Sequence, residues 1–127
     1  MEELPKPTDA ELEILTVLWS RGPATVRDVH NVIAARKPTQ YTTVLKLMQI
    51  MADKGLVQRD ESARSHVYEP SFSEEQTQRQ VVRHLLERVF AGSAPKLVMQ
   101  ALAAKKATPS ELAEIRRLLD ELEGEAA

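Results

Sequence analysis

Residues 39–57, TQYTTVLKLMQIMADKGLV, constrain the fold more than any other part of this 127-residue chain. At about 100° of rotation per residue, an α-helix here has an apolar side with Val44, Leu47, Met48 and Met51, and a polar side with Thr42, Lys46, Gln49 and Asp53. Gly55 predicts the end of the helix, because glycine readily adopts the left-handed conformation found there. One side therefore needs a core, while the other carries hydroxyls and a lysine that can reach phosphates and base edges in a DNA major groove.

A solvated surface helix would show the same polar residues, so the preceding segment matters for the interpretation. Thr8 begins a capping-box pattern, TDAE, and the helix that it opens should end at Gly22. Thr25 opens a second helix, which should end near Lys37-Pro38 because the residue before a proline disfavours helical geometry. Two short helices joined by a tight connection form a helix-turn-helix, and residues 39–57 occupy the position of its recognition helix.

A β-hairpin is predicted after Gly55. Residues 57–59 and 66–68 are β-prone, and the polar residues 60–65 between them form a turn. Three helices followed by a hairpin predict a winged helix-turn-helix. Arg64 alone would be a solvated turn arginine, but downstream of a recognition helix a contact with a phosphate or the minor groove is the better interpretation.

Residues 73–127 predict three further amphipathic helices, with N-cap signatures at Ser73 and Thr108 and a break at residues 92–95. Their apolar stripes consist of Val82, Leu85, Leu86, Val89, Leu97, Val98, Leu102, Leu112, Ile115, Leu118, Leu119 and Leu122. A complete winged helix leaves little core for these stripes, so we expect them to be buried in a two-fold homodimer. Folding back within one chain is the alternative. The expected domains are a DNA-binding domain, residues 1–72, and a helical dimerisation domain, residues 73–127.

Composition narrows the possible functions. The chain has no cysteine, which excludes disulfides, zinc–thiolate sites and cysteine catalysis. Its start lacks the pattern of a signal peptide and no segment is long and apolar enough to span a membrane, so a cytoplasmic location is expected. The three histidines lie on different elements without metal-ligand spacing, and no catalytic motif occurs. We therefore expect no enzyme, no metal and no cofactor. The only tryptophan, Trp19, is expected in the core.

Charge is distributed unevenly along the sequence. The whole chain carries a net charge of −2, whereas residues 14–68 contain eight basic and four acidic residues, 8 − 4 = +4. A basic N-terminal part and an acidic remainder are typical of a DNA-facing domain followed by an acidic segment, although the asymmetry is also common by chance.

The chain resembles, over nearly its whole length, the penicillinase and methicillin-resistance repressors, the BlaI/MecI/CopY family. Its PTDAELEILTVLW matches the family pattern LTxxELEILxxLW, its YTTVLKLMQIMADKGLV matches the recognition segment, and its SARSHVYEP matches the wing. The resemblance implies a homodimeric repressor that binds a palindromic DNA operator with TACA and TGTA half-sites and blocks transcription of resistance or stress genes.

The resemblance also suggests which residues contact DNA. The family's DNA-facing positions on the recognition helix correspond to Thr42, Thr43, Leu45, Lys46 and Ile50, and the best-known members place basic residues where Leu45 and Ile50 stand. Ile50 either contacts a thymine methyl or packs under the wing. With phosphate and wing contacts included, the expected DNA-binding residues are Thr25, Tyr41, Thr42, Thr43, Lys46, Ile50, Arg64 and His66.

Regulation in the family follows two branches. The copper-responsive branch senses metal through a cysteine cluster, which this chain lacks. In the beta-lactamase branch a membrane-bound sensor protease system cuts the dimerisation segment at an Asn-Phe bond. The matching bond here, Gln100-Ala101, lacks that pair, although cutting it would still break the dimer. A winged-helix module for protein association and a repressor that senses a small molecule are the two alternative functions.

Overall fold

The computed structural model describes residues 4–126; residues 1–3 and 127, which the expected domain bounds include, lie outside the described residues. The described part forms six helices and one hairpin in the order α1 (Asp9–Arg21), α2 (Val26–Ala34), α3 (Tyr41–Lys54), β1 (Val57–Asp60), β2 (Val67–Pro70), α4 (Glu74–Arg88), α5 (Ala94–Ala104) and α6 (Pro109–Ala126). This order confirms the predicted winged helix-turn-helix followed by three helices.

Local sequence signals determine where the first three helices begin and end. The capping box predicted at Thr8 forms before α1, and Thr25, the predicted start of the second helix, forms a capping box before α2. Gly55 ends α3 in the left-handed conformation at φ 84°. One boundary differs: α2 ends at Ala34, three residues before the expected Lys37-Pro38. Residues 35–37 continue as a turn in which the N–H groups of Arg36 and Lys37 both donate to the Ile33 carbonyl.

The hairpin is antiparallel and is tied to the helices by its second strand. Arg59 of β1 lies opposite Tyr68 of β2. Ala24, between α1 and α2, adds a bridge: its N–H donates to the Tyr68 carbonyl at 3.0 Å, and the Tyr68 N–H donates to the Ala24 carbonyl at 2.8 Å. Because both residues are buried, the hairpin is anchored to the helical core.

The core lies between α1, α2, α3 and the hairpin. It consists of Ile14, Leu15, Val17, Leu18, Ala24, Val26, Val29, Ile33, Val44, Met48, Met51, Leu56, Val57 and Tyr68. Trp19 is only half-buried and packs at the edge of this cluster, where its indole N–H donates to the Phe72 carbonyl at 3.1 Å. The expectation that Trp19 lies fully in the core was therefore only partly correct.

A buried carboxylate, that of Glu11, links the first turn of α1 to the last residue of α3, Lys54. The Glu11 side chain is only 2 % exposed, and its Oε1 accepts hydrogen bonds from Lys54 Nζ at 2.7 Å and from the Thr8 N–H at 2.8 Å. Burial raises the pKa of Glu11, but the Lys54 hydrogen bond and charge, together with the Thr8 N–H, outweigh burial and lower this pKa below its ordinary value. The sequence predicted Glu11 only as a helix cap.

The chain divides into two compact units, residues 1–83 and residues 84–127, and the division falls inside α4. In the second unit, no side chain of residues 84–125 is buried. Its exposed apolar residues include Leu85, Val89, Val98, Met99, Leu102, Leu118, Leu119 and Leu122. Within residues 4–126, no helix has both the length and the apolar character needed to cross a membrane.

The Glu11 carboxylate should make the first unit sensitive to acid. Because its folded-state pKa is lowered, its stabilising contribution is present above the ordinary pKa and is lost as the pH falls through the folded-state value. Between about pH 6 and pH 3, the unfolding free energy of the parent should fall more steeply than that of Glu11→Gln. Denaturant titrations followed by the fluorescence of Trp19 measure this quantity for the first unit. Glu69→Gln, an exposed change on β2, should keep the parental slope.

Candidate nucleic-acid interface

The two sides of α3 separate as the sequence predicted. Val44, Met48 and Met51 are buried, whereas Thr42, Thr43, Lys46 and Gln49 are exposed. The exposed residues begin in the first turn of the helix, where a recognition helix usually contacts base edges. The exposed face of α3 therefore offers hydroxyl, ammonium and amide groups to a ligand.

Leu45 and Ile50 occupy different environments. Leu45 is half-buried and packs against the core, while Ile50 is 39 % exposed. The Ile50 side chain thus adds apolar surface beside Lys46 on the exposed face of α3.

Tyr41, the first residue of α3, is held by two residues of α2. The Arg27 guanidinium lies over its ring, 5.1 Å from the centroid, at cation–π distance. The His30 ring meets it edge-on, with centroids 5.7 Å apart and an interplanar angle of 81°. His30 Nε2 is 2.7 Å from the Thr39 carbonyl and must carry the proton there, because a carbonyl only accepts. These contacts fix the start of α3 against α2.

Thr25 has two hydrogen-bonding functions. Its Oγ1 accepts from the Asp28 N–H at 3.2 Å, and its own N–H donates to the Asp28 carboxylate at 3.2 Å. The hydrogen bond from the Thr25 N–H is the largest factor that lowers the pKa of Asp28. A hydrogen bond from the Thr25 side chain to the Asp28 carboxylate lowers this pKa further, so the Thr25 hydroxyl contacts Asp28 while it caps α2.

The loop between β1 and β2 carries both basic and acidic groups. Arg64 is exposed on it. Glu61 accepts from Arg59 Nε at 2.9 Å and lies 3.9 Å from His66 Nδ1. His66, expected to contact DNA, is therefore placed beside a carboxylate, whereas Arg64 has no acidic group within ion-pair distance among residues 4–126.

The eight basic residues from Arg21 to Arg64 fall into two groups. The ion pairs are Arg21 with Asp28, Lys37 with Glu13, Lys54 with Glu11 and Arg59 with Glu61. In the described part of the chain, no ion pair involves Arg27, Arg36, Lys46 or Arg64. Sequence reasoning missed Arg27 as a site residue, because its position beside Tyr41 depends on how α2 packs on α3. Within the same part, no group of histidine and acidic residues could hold a metal ion.

The profile of the penicillinase repressor family matches residues 7–121. The chain belongs to this family. The family consists of transcriptional repressors and not enzymes, in agreement with the expectation from the sequence. The resemblance stated from the three sequence motifs is thereby confirmed.

Individual relatives differ in how much of the chain they match. Transcriptional regulator BlaI of Mycobacterium tuberculosis is 41 % identical over 71 residues, 55 % of this chain and 51 % of that protein, so the match spans about half of the relative. The penicillinase repressor of Bacillus licheniformis is 22 % identical over 121 residues, 95 % of this chain and 94 % of that protein. The methicillin resistance regulatory protein MecI of Staphylococcus aureus is 20 % identical and covers 89 % of this chain and 92 % of that protein.

Two solved structures share the fold of the first unit. One is the solution structure of the DNA-binding domain of the repressor BlaI, with a TM-score of 0.52 and 24 % identity, covering 60 % of this chain and 93 % of that chain. The other, with the same values, is monomeric Bacillus licheniformis BlaI in complex with the blaP half-operator. These similarities confirm the winged-helix fold.

His30 should stabilise the start of α3. His30→Ala removes the donor to the Thr39 carbonyl and the edge contact with Tyr41, and the loss of one partly buried hydrogen bond should lower the unfolding free energy by about 1–2 kcal/mol. Denaturant titration with Trp19 fluorescence measures the change. Asn31→Ala, at the exposed neighbouring position on α2, is the control and should change stability little. Equal effects of the two substitutions would contradict the assigned role.

Proposed function

We propose that this chain is a homodimeric transcriptional repressor whose first unit binds duplex DNA through α3, the start of α2 and the hairpin loop. The observation that carries the proposal is the exposed face of α3, where Thr42, Thr43 and Lys46 lie away from the side on which Val44, Met48 and Met51 are buried. Membership of a repressor family and the shared fold with a BlaI domain bound to a half-operator support it.

Each group at this interface has a role that follows from its chemistry. Thr42, Thr43 and Lys46 read base edges or position the helix on phosphates in the major groove. Ile50, exposed beside them, contacts a thymine methyl. The Thr25 hydroxyl and Tyr41 bind backbone phosphates.

The other contacts come from groups outside α3. Arg27 binds a phosphate next to Tyr41, because the tyrosine ring already holds its guanidinium in place. Arg64 and His66 bring the hairpin loop against the flanking DNA backbone.

Dimerisation compensates for the small number of free cations in one chain. Arg27, Lys46 and Arg64 are the basic residues that this interface contributes, and binding through phosphates scales with the number of such contacts. A dimer doubles the number of these contacts. Once one subunit has bound its half-site, binding of the second subunit to the other half-site is intramolecular, which raises the overall affinity. The apolar stripes of the second unit, whose side chains are not buried within the chain, supply the surface for pairing. The operator is a palindrome of the TACA and TGTA type.

Loss of pairing relieves repression in this proposal. Gln100 and Ala101 are exposed within α5, and cutting between them would separate α6 from the DNA-binding unit. A sensor protease system of the membrane is the partner that such cutting requires, and its sequence preference would differ from an Asn-Phe bond. Because a repressor must reach the DNA that it regulates, the protein acts in the cytoplasm in this proposal.

Replacement of Lys46 or Arg27 should weaken DNA binding. Lys46→Ala and Arg27→Gln each remove one cation per subunit, so affinity for the palindrome should fall about tenfold, and the slope of log affinity against log salt should decrease by about two for a dimer. Fluorescence anisotropy with palindromic and scrambled duplexes at several salt concentrations measures both quantities.

The same titrations separate phosphate contacts from base contacts and include a control. If Lys46 contacts a base, its replacement should instead relax specificity at one position. Arg36→Gln removes an exposed cation after the end of α2 and should have a smaller effect than either variant. A parent protein that binds neither duplex would favour a winged-helix protein-association module, and binding that a small molecule abolishes would favour a ligand-sensing repressor.

Substitution of exposed leucines should dissociate the dimer. Leu118 and Leu122 of α6 are 53 % and 51 % exposed, and the double variant Leu118→Gln/Leu122→Gln places amides on the stripe that pairs. Sedimentation equilibrium should show a monomer where the parent is a dimer. Arg117→Gln/Glu121→Gln, which alters exposed polar residues of the same helix, should remain dimeric. A parent protein that is monomeric at micromolar concentration would contradict the assignment of the second unit.

A further inference from the structure

We propose that Glu61, in the hairpin loop, occupies the place of a DNA phosphate on Arg59 and leaves that place when the loop binds DNA. Arg59 is then a further residue that contacts the DNA backbone. Glu61 is a positioning residue that holds the guanidinium until a phosphate replaces the carboxylate. The inference rests on the proposed function, since it assigns roles to two residues in the binding of duplex DNA by the hairpin.

Arg59 lies where the hairpin meets the end of α3. Alternate side chains of a strand point to the same face, so Arg59 shares its face of β1 with the buried Val57. A hydrogen bond to the side chain of Tyr68, its partner across the hairpin, is the largest factor that raises the pKa of Arg59. Burial lowers this pKa, and the charges of Glu61 and Asp53 raise it further. Asp53, Arg59 and Glu61 line one groove between α3 and the hairpin.

This groove adjoins the proposed DNA-binding face of α3. Residues four apart lie on one face of a helix, so the exposed Asp53 extends the face that carries Gln49 and Lys46. A duplex that contacts Lys46 on α3 and Arg64 on the hairpin loop spans the groove. The backbone of such a duplex comes within reach of the Arg59 guanidinium.

A single carboxylate oxygen faces two basic groups of the hairpin. Oε1 of Glu61 accepts from Arg59 Nε at 2.9 Å and lies 3.9 Å from His66 Nδ1. A phosphate oxygen accepts hydrogen bonds from a guanidinium or an imidazolium as a carboxylate oxygen does. The two basic groups are therefore already arranged around an anionic oxygen, which a backbone phosphate can supply in place of Glu61.

The exchange of carboxylate for phosphate is favourable because the ion pair is exposed to solvent. The side chains of Arg59 and Glu61 are 31 % and 56 % exposed, and exposed ion pairs contribute little to stability. A DNA phosphate that meets a cation also releases condensed counterions, which favours binding. If Glu61 stayed in place, its charge would repel the DNA backbone. The carboxylate therefore turns into solvent, and Arg59 and His66 both become available to the phosphate.

A double-mutant cycle in the full-length chain tests the exchange. Fluorescence anisotropy with the TACA/TGTA palindrome and a scrambled duplex, at several salt concentrations, measures the affinity of the parent, of each single variant and of the double variant. Arg59→Gln should lower affinity about tenfold and decrease the slope of log affinity against log salt by about two for a dimer. Glu61→Gln should raise affinity about fivefold, because one weak ion pair per subunit no longer has to be broken.

The coupling between the two substitutions identifies the mechanism. In the Arg59→Gln background, Glu61→Gln should raise affinity by at most about twofold, since only the repulsion between carboxylate and backbone is left to remove. Unfolding titrations followed by Trp19 fluorescence show whether each variant is folded.

Glu69→Gln is the matched control. It removes an exposed carboxylate from β2, opposite Gln58 and thus on the other face of the hairpin from Arg59. Its effect on affinity should be small and equal in both backgrounds. Because Glu61→Gln keeps Arg59 and its contact with Tyr68, the comparison with Glu69→Gln decides the question even if Arg59→Gln does not fold. Equal effects of these two glutamine substitutions would overturn the inference.

The remaining outcomes are distinguishable. Equal gains from Glu61→Gln in the parent and in Arg59→Gln would mean that the carboxylate only repels DNA, which overturns the exchange. An Arg59→Gln variant with parental affinity and parental salt slope would overturn the contact between Arg59 and the backbone. If the parent binds neither duplex, the proposed function fails and the inference fails with it, whereas an additive cycle in a parent that binds DNA overturns the inference alone.

Discussion

The burial of one side of α3 is the interaction on which the rest of the first unit depends. Val44, Met48 and Met51 are at most 1 % exposed, and removing such side chains from water provides the main driving force for folding. Since these residues recur at helical spacing, their burial also fixes the rotation of α3 about its axis. The face with Thr42 and Lys46 is exposed for that reason and needs no separate interaction to hold it outward. The spacing of apolar residues along α3 thus explains both the packing of its buried side and the exposure of the face that is proposed to bind DNA.

Charge is arranged around this helix in two ways. Glu11 and Lys54 form an ion pair at the end of α3 in which only the carboxylate is buried, so loss of Lys54 would leave an unpaired charge in the core. At the start of α3, Arg27 is instead balanced by the face of Tyr41 and keeps its guanidinium donors for a ligand. One end of the helix is therefore anchored by an ion pair, while at the other end no ion pair involves Arg27 in the described part of the chain. The second unit has no buried side chains among residues 84–125 and presents leucines at its surface, which is the character of a surface that pairs.

Much of the fold could be predicted because local signals agree with each other. Thr8, Thr25, Ser73 and Thr108 mark helix starts through hydrogen bonds within four residues, and Gly55 marks an end through its backbone freedom. The candidate site was predictable on α3, whose exposed face follows from periodicity. Arg27 was not, because its contact with Tyr41 joins residues fourteen positions apart on two helices. For the same reason, the bridge from Ala24 to Tyr68 left no pattern in the sequence.

The sequence by itself determined the order of helices and strands, the two-sided character of α3 and the family, because each depends on residue spacing along the chain. Only the tertiary structure decided which charges are available. In the tertiary structure, Lys54 forms an ion pair with Glu11, Arg59 with Glu61 and Lys37 with Glu13. Arg27, Lys46 and Arg64 form no such pair in the described part of the chain and lie at the proposed interface. A charge count cannot make this distinction, because an ion pair depends on a distance of a few ångströms between side chains that lie far apart in the sequence. The contacts of Lys54 with the Lys6 carbonyl and of Gln80 with the Leu4 carbonyl depend on tertiary packing for the same reason.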